Sequence, residues 1–228
     1  MAAQAAGATQ HVYETMKEWI LSGFLLPGSK IDQDECAERL GVSRMPIRSA
    51  LNRLMIEGLV VVTPHRGAIV SPLDADQLND LFDTRAQLES MAVIQTTLRA
   101  SSSDITRIRK ILEYQEAVND GSVSAILEQN RIFHRAIVQC SGNDIMLTVF
   151  DSLWDQCERY RRMYFRVPRS NERVLREHHT IIDLIAERKP QEAADFMVQH
   201  TRTSHEALLH TMGRELSPLR YKIVYLDK

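Results

Sequence analysis

Residues 41–60 read GVSRMPIRSALNRLMIEGLV, and this stretch predicts a short amphipathic helix followed by a strand. Ser43 is a suitable N-cap for the helix, because its hydroxyl can accept a hydrogen bond from an otherwise unpaired backbone N–H. Pro46 falls in the first turn, where the missing N–H of proline does no harm. Gly58 precedes a β-branched run, so the helix is expected to end there and a strand to follow.

The two faces of this helix differ in character. Arg44, Arg48 and Asn52 are four residues apart and share one stripe of the helix. The fork of an arginine matches O6 and N7 of guanine or a phosphate, and asparagine can pair with adenine. A solvated helix face without a partner is the alternative interpretation. The apolar positions recur at helical spacing and are predicted to face a core: Ile47, Leu51, Leu54 and Met55.

The flanking residues complete a helix-turn-helix with a β-wing. Asp32 and Glu35 have the spacing of a capping box and predict an earlier helix, which Gly41 ends in the left-handed conformation. Residues 59–62 and 68–70 are predicted to be two short strands. The loop between these strands projects and carries an arginine and a histidine, which suits a narrow minor groove of DNA.

Positive charge is concentrated in this part of the chain. Residues 39–66 contain five arginines and one acid, Glu57, whereas the whole 228-residue chain has a formal net charge of −2. A local positive field in a slightly acidic protein indicates a polyanionic partner at this end of the chain.

The composition limits the class of protein. No apolar run approaches the roughly 20 residues that a membrane-spanning helix needs. The first ten residues lack the basic start and apolar stretch of a signal peptide, and they are predicted to be a flexible arm. The three cysteines are odd in number and widely spaced, which favours free thiols over disulfides. A cytoplasmic protein without a membrane partner is therefore expected.

The second part of the chain is predicted to be all helical. Pro72 and Asp74 mark the boundary, since proline interrupts a helix and aspartate can cap the next one. Successive helical patterns with short breakers between them predict an antiparallel helical bundle. Residues 221–225 in the tail are predicted to be a short strand or a docking arm. The helical patterns lie approximately at 74–99, 104–119, 122–140, 143–166, 171–188 and 190–211.

Polar residues within this bundle suggest two kinds of site. Asn130 and His134 share one helix face, and His178 and His200 lie on two later helices, so three imidazoles can converge on a cation. Exposed or hydrogen-bonded histidines are the alternative, because the chain contains eight of them. Tyr160, Arg161, Arg162 and Tyr164 are adjacent candidates for lining a pocket, but they cannot all face inward.

Arg85 and Glu89 are one turn apart on the first helix of the bundle, and two interpretations remain open. In the first, the two side chains form an ion pair on the surface. In the second, Arg85 points into the bundle and forks onto a carboxylate.

Residues 11–70 resemble the winged-helix domain of the GntR family of bacterial transcription regulators. In that family the arginine at the start of the recognition helix, the arginine one turn later and the glycine at the wing tip contact DNA. The resemblance therefore implies these roles for Arg44, Arg48 and Gly67. Met45 and Cys36 depart from the usual residues, a small polar one and leucine. The resemblance rests on residues 20–23 (ILSG), 27–28 (PG), 41–48 (GVSRMPIR), 50–51 (AL), Leu54 and 57–60 (EGLV). The complete set of expected DNA contacts is Ser43, Arg44, Met45, Arg48, Asn52, His65, Arg66 and Gly67.

The bundle resembles the FadR-type (FCD) branch of that family. Many members hold a divalent metal with one aspartate and three histidines, which implies Asn130, His134, His178 and His200 as ligands. Asn130 replaces the usual aspartate, and an uncharged amide oxygen favours Zn²⁺ or Ni²⁺ over Mg²⁺ or Ca²⁺. Some members of this branch sense organic acids, and the resemblance to them implies that Arg85 binds a small carboxylate effector. The matching segments are Asn130-x-x-Phe133-His134-x-Ala136-Ile137, Ser141-Gly142-Asn143, Glu177-His178 and Met197-x-x-His200.

The sequence thus predicts a mostly α protein, with a winged helix-turn-helix of three helices and a small β-wing before an all-α antiparallel bundle. We expect a DNA-binding transcription regulator, a repressor rather than an enzyme, that binds an inverted-repeat operator as a homodimer and senses a small organic acid. One alternative is a regulator that senses the metal itself. Another is a metal-dependent hydrolase, but the sequence offers no evident general base for that reaction. The expected domains are the arm at 1–10, the DNA-binding domain at 11–71, a linker at 72–76, the effector-binding and dimerisation domain at 77–213 and the tail at 214–228.

Overall fold

The structure is a computed structural model that describes residues 2–117, 122–164 and 170–213. The chain divides into two compact units, Met1–Asp74 and Ala75–Lys228. The tail at 214–228, with its predicted strand or docking arm, lies outside the described residues. None of the helices in the described part of the chain combines the length and the apolar character that crossing a bilayer requires.

The first unit contains the predicted helix-turn-helix and wing. Strands β1 and β2 form an antiparallel hairpin in which Val60 lies opposite Val70 and Thr63 opposite Gly67. The elements are α1 (Ala2–Leu21), α2 (Gln33–Leu40), α3 (Arg44–Ile56), β1 (Val60–Thr63) and β2 (Gly67–Val70).

Helix α1 begins earlier than the sequence predicts. A flexible arm is expected for residues 1–10, but the helix starts at Ala2. Alanine and glutamine fill residues 2–6, and their high helix propensity favours a helix over the expected arm. The later part of α1 carries an apolar stripe, with Val12, Met16 and Ile20 buried.

The caps around the turn agree with the sequence at two positions of three. Asp32 accepts hydrogen bonds from the backbone N–H groups of Asp34 (2.9 Å) and Glu35 (3.2 Å), and Gly41 ends α2 with φ of 63°. Ser43 is the N-cap of α3, but its side chain makes no capping hydrogen bond. A capping hydroxyl accepts from the second or third residue of the helix, and the third residue is Pro46, which has no N–H.

A core between α1, α3 and the hairpin holds the first unit together. Ile47, Leu51 and Leu54 of α3 are buried in it, as the apolar stripe predicts, and Met55 packs at its edge. Burial of this stripe forces the opposite side of α3 toward solvent.

The second unit is a bundle of six helices within the described residues. Helix α4 packs along α9, and α5, α6 and α8 complete the central core. Buried apolar side chains fill this core, among them Val93, Phe133, Ile181 and Met197. The helices are α4 (Ala75–Arg99), α5 (Ser102–Ala117), α6 (Val123–Cys140), α7 (Asp144–Tyr164), α8 (Ser170–Ala186) and α9 (Pro190–Thr211).

Candidate nucleic-acid interface and metal centre

The exposed side of the first unit carries all the residues that the sequence predicts to contact DNA. Those on α3 project away from the core because Ile47 and Leu51 occupy the inner side. Those on the wing lie at the tip of the hairpin, where His65 and Gly67 adopt left-handed backbone conformations (φ of 66° and 75°). The exposed residues are Ser43, Arg44, Met45, Arg48, Asn52, His65, Arg66 and Gly67.

Arg44 forms a bidentate ion pair that the sequence did not reveal. Its Nε and Nη2 groups donate to the two carboxylate oxygens of Asp34, the second residue of α2. Both side chains stay in solvent, at 68% and 62% exposure. Ten residues and a turn separate the partners, so helical spacing gives no signal for the pair.

The second unit brings His134, His178 and His200 together. The three side chains come from α6, α8 and α9, and each offers a ligand nitrogen within 4.8 Å of the others. All three are buried, with exposures of 1%, 0% and 4%. Convergence of three imidazoles from three helices is the arrangement that the resemblance implied.

Two carboxylates orient two of these rings. The Nδ1–H of His134 donates to Oε2 of Glu89 at 2.7 Å, and the Nδ1–H of His200 donates to Oε2 of Glu177 at 2.6 Å. A carboxylate on one ring nitrogen holds the tautomer and leaves Nε2 available to a metal. The sequence gives no signal for either role, because each glutamate lies on a different helix from the ring that it orients.

Burial keeps the three imidazoles neutral. It lowers the pKa of His134 to about 4 and that of His178 well below its usual value. Burial also lowers the pKa of His200, although Glu177 opposes this effect. Burial alone raises the pKa of Glu89, but Arg85 and His134 together hold it below its usual range. Neutral imidazole is the form that binds metals, so the cluster has the required protonation state.

The unsatisfied nitrogens of the cluster fit a cation. Nε2 of His134 and both ring nitrogens of His178 are buried and have no hydrogen-bond partner among the described residues. Buried polar atoms are normally paired, and those left unpaired require an explanation. A divalent ion that prefers imidazole satisfies one nitrogen from each ring, so these residues are suited to Zn²⁺ or Ni²⁺.

Asn130 lies beside this cluster and contacts Arg161. Its amide oxygen, assigned from its hydrogen-bond partners, accepts from Nη1 of Arg161 at 3.2 Å and from Nη2. Of the adjacent pocket candidates on α7, Tyr160 and Arg161 are both buried, and the guanidinium of Arg161 lies 4.2 Å from the ring centroid of Trp154. The sequence alone could not identify these two, because the rotation of the helix about its axis decides which side chains face inward.

Arg85 is buried rather than on the surface. It forms the predicted ion pair with Glu89, at 2.7 Å between Nη2 and Oε1, but the side chains are only 3% and 1% exposed. The interpretation as a surface pair is therefore wrong, because α4 runs through the middle of the bundle. The carboxylate onto which Arg85 forks belongs to Glu89.

A small cavity lies between these groups. Arg85, Asn130, Arg161 and His200 line it, and its volume is about 10 Å³. Burial and the charge of Arg85 lower the pKa of Arg161 to about 10, so both guanidinium groups remain charged at neutral pH. The cavity accommodates about one water-sized group in positively charged surroundings.

Known proteins resemble the chain over both units. Residues 8–70 match the family model of bacterial regulatory proteins of the gntR family, and residues 80–203 match the FCD domain. The Nta operon transcriptional regulator of Aminobacter aminovorans is 33% identical over 184 residues, which cover 80% of this chain and 86% of that protein. The transcriptional repressor GlaR of Escherichia coli is 28% identical over 201 residues, covering 84% and 91%. The solved structure of McbR/YncC from Escherichia coli has a TM-score of 0.76 at 23% identity, covering 90% of this chain and 98% of that one.

Proposed function

Because the chain belongs to the GntR family of bacterial transcription regulators and carries the FCD domain, we propose that it represses transcription in response to a small organic acid. It is a DNA-binding regulator and not an enzyme, as are the relatives that it resembles. The observation that carries the proposal is the buried cluster of three neutral histidines beside Arg85, which a purely structural bundle does not need.

DNA recognition is assigned to the exposed side of the first unit. Arg44 and Arg48 contact base edges in the major groove, and Asn52 lies one turn further along the same stripe. Arg66 enters the minor groove from the wing, where Gly67 allows close approach of the backbone. The remaining contacts, from Ser43, Met45 and His65, position the domain on the phosphates and sugars.

The histidines are proposed to hold Zn²⁺ or Ni²⁺. His134, His178 and His200 each provide one nitrogen, and Glu89 and Glu177 orient two of the rings. A bound metal supplies an open position for an anionic oxygen of the effector. Asn130 can serve as the fourth ligand only if its amide oxygen leaves Arg161.

The effector is proposed to displace side chains when it binds. A cavity of about 10 Å³ is too small for an organic acid, so Arg85 or Arg161 must move to admit one. A ligand that binds one arrangement of the bundle better than another shifts the population toward it. This unequal affinity is the proposed source of control over DNA binding.

A homodimer is proposed because exposed apolar side chains lie on two helices that pack against each other. Met91 and Leu98 of α4 are 46% and 68% exposed, and Ile145 and Val149 of α7 are 76% and 42% exposed. A second copy of the chain is the occupant that an inverted-repeat operator requires. We expect Ile145→Glu to lower the molar mass in light scattering, and an unchanged dimer would contradict this location of the interface.

The experiment that tests the proposal measures operator binding with and without metal and acids. An operator is selected from random duplexes, and affinity is measured by fluorescence anisotropy with the zinc-loaded and chelator-treated protein against a panel of organic acids. We expect at least one acid to weaken binding to the zinc-loaded protein. Full operator affinity under every condition would contradict control by an acid.

The histidine cluster favours metal sensing as the second candidate function. His134, His178 and His200 each offer a nitrogen to one ion, whereas the neighbouring cavity of about 10 Å³ is too small for an organic molecule. In this case Zn²⁺ or Ni²⁺ alone changes operator affinity, and added acids have no further effect. The same binding experiment therefore separates the two candidates.

A further inference from the structure

We propose that Asp34 is a positioning residue that presents Arg44 to a guanine of the operator. The inference rests on the proposed contact between Arg44 and a base edge. It adds a residue of α2 to the recognition surface, although Asp34 is an acid and lies outside the stripe of α3.

The geometry of the ion pair leaves one edge of the guanidinium available. Asp34 accepts from Nε and Nη2 of Arg44, which together form the side edge of the group. Both N–H groups of Nη1 and the second N–H of Nη2 remain, and one N–H from each of these nitrogens forms the end edge. Two parallel donors at this edge match O6 and N7 of guanine.

The position of the pair suits orientation rather than stability. Arg44 is the first residue of α3, so its side chain starts at the end of the recognition helix that reaches furthest into a groove. Asp34 holds the guanidinium from the neighbouring helix α2, across the turn. An ion pair between side chains that are 68% and 62% exposed contributes little to folding. Its effect is to restrict a flexible side chain before DNA arrives, which lowers the entropy cost of the contact.

Arg48 provides an internal contrast. Among the described residues, no carboxylate is found within ion-pair distance of Arg48, although it lies one turn after Arg44 on the same stripe. An unrestrained arginine can follow a phosphate or a base with similar ease. The structure therefore assigns selection of guanine to Arg44 and a more adaptable contact to Arg48.

The acid also acts against binding without sequence preference. A carboxylate near the DNA backbone repels phosphates, and its charge is offset only while Arg44 stays paired with it. Asp34 is thus expected to raise specificity in two ways, by orienting Arg44 on the correct base and by weakening contacts with other duplexes.

The test compares Asp34→Asn with Glu35→Gln in the full chain. Glu35 is the next residue of α2, is exposed and pairs with Arg39 rather than Arg44, so its substitution removes the same charge from the same turn. Affinities are measured for the selected operator, for its single-base-pair variants and for an unrelated duplex. Arg44→Ala and the double variant with Asp34→Asn are measured in parallel.

We expect Asp34→Asn to lower discrimination at one G·C pair about fivefold to tenfold, with affinity for the unrelated duplex unchanged or higher. Glu35→Gln should keep this discrimination within about twofold. Arg44→Ala should lose discrimination at the same base pair, and the double variant should lose no more than Arg44→Ala alone, because both substitutions remove one contact. Asp34→Glu, which keeps a carboxylate at this position, should retain part of the discrimination that Asp34→Asn loses.

Two results would overturn the inference, and they differ. If Arg44→Ala lowers discrimination but Asp34→Asn strengthens binding to all duplexes equally, Asp34 only repels phosphates and the contact of Arg44 stands. If Arg44→Ala changes discrimination at no position, the proposed base contact fails and the inference fails with it.

Discussion

Each unit of the protein holds an arginine against a carboxylate, but the two pairs lie in opposite environments. Arg44 and Asp34 are both more than half exposed, whereas Arg85 and Glu89 are 3% and 1% exposed. Water screens the first pair, so its partners can separate at little cost. The second pair is desolvated, and each charge depends on the other.

This difference in burial decides whether a substitution changes DNA binding or the stability of the fold. In the first unit, Arg44 and Asp34 lie on an exposed surface outside the core, so their substitution is expected to alter DNA binding and to leave stability nearly unchanged. In the second unit, Glu89 also orients His134, so one buried network serves both folding and ligand binding. Effects on sensing and on stability are therefore expected to be coupled in this unit.

The largest effect is expected for Glu89→Gln. It leaves Arg85 buried without a countercharge, and we expect the free energy of unfolding to fall by about 3–5 kcal/mol. Asp183→Asn is the control, because it breaks the exposed pair with Arg109 and is expected to cost at most about 1 kcal/mol. Chemical denaturation of the metal-free protein measures both. Equal losses for the two variants would contradict the contrast between buried and exposed pairs.

The next effect is the stabilisation by metal. Zinc at a hundredfold excess over its Kd should raise the free energy of unfolding by about 2.7 kcal/mol, because it binds only the folded bundle. His178→Phe should abolish this gain, since phenylalanine can still stack on Phe133 but cannot ligate.

His179→Phe is the matched control for the metal. Its side chain is the neighbour of His178 but is 40% exposed and bonded to Glu116. Elemental analysis after zinc incubation should find one zinc per chain in the control and none in His178→Phe. Equal zinc in both variants would exclude His178 as a ligand.

A smaller effect, confined to DNA binding, is expected for Arg44→Ala. Discrimination between the operator and its variants should fall by about 1–3 kcal/mol, the range for a bidentate contact to guanine. The unfolding midpoint should stay unchanged, since the side chain is exposed. Arg39→Ala, which removes an exposed arginine of α2, should weaken binding to all duplexes by the same factor. A large loss of stability with Arg44→Ala would show that the exposed pair supports the fold.

Local signals were sufficient to predict most of the helix-turn-helix in the first unit. The cap at Asp32, the left-handed Gly41 and the apolar stripe of α3 each act within a few residues, so the sequence shows them directly. The capping hydrogen bond of Ser43 was predicted wrongly, because Pro46 occupies the third position of the helix and has no N–H to donate. The start of α1 was missed because helix propensity outweighed the expectation of a flexible terminus.

Contacts between helices could not be predicted in this way. The three histidines were found through resemblance, but spacing gives no reason for Glu89 of α4 to meet His134, 45 residues later. The contacts of Arg161 with Asn130 and of Asp34 with Arg44 likewise join side chains of two different helices. Each depends on which helix faces which neighbour, and tertiary packing decides this.

The smallest effect concerns pH and again separates the two units. His205 of α9 is 2% exposed and stacks on Phe82, and burial lowers its pKa to about 4, with Arg202 and Arg85 acting in the same direction. The unfolded chain binds a proton at this residue below a pKa of about 6.5, whereas the folded chain does not until about 4, so stability falls as the pH decreases through this window.

His205→Phe should therefore reduce the loss of stability between pH 7 and pH 5 by roughly 1–2 kcal/mol, measured by denaturation of the metal-free protein. The buried histidines of the cluster still contribute, so a pH dependence remains in this variant. If His205→Phe loses as much stability as the parent, His205 is protonated in the folded bundle, and the bundle admits more water than its burial indicates.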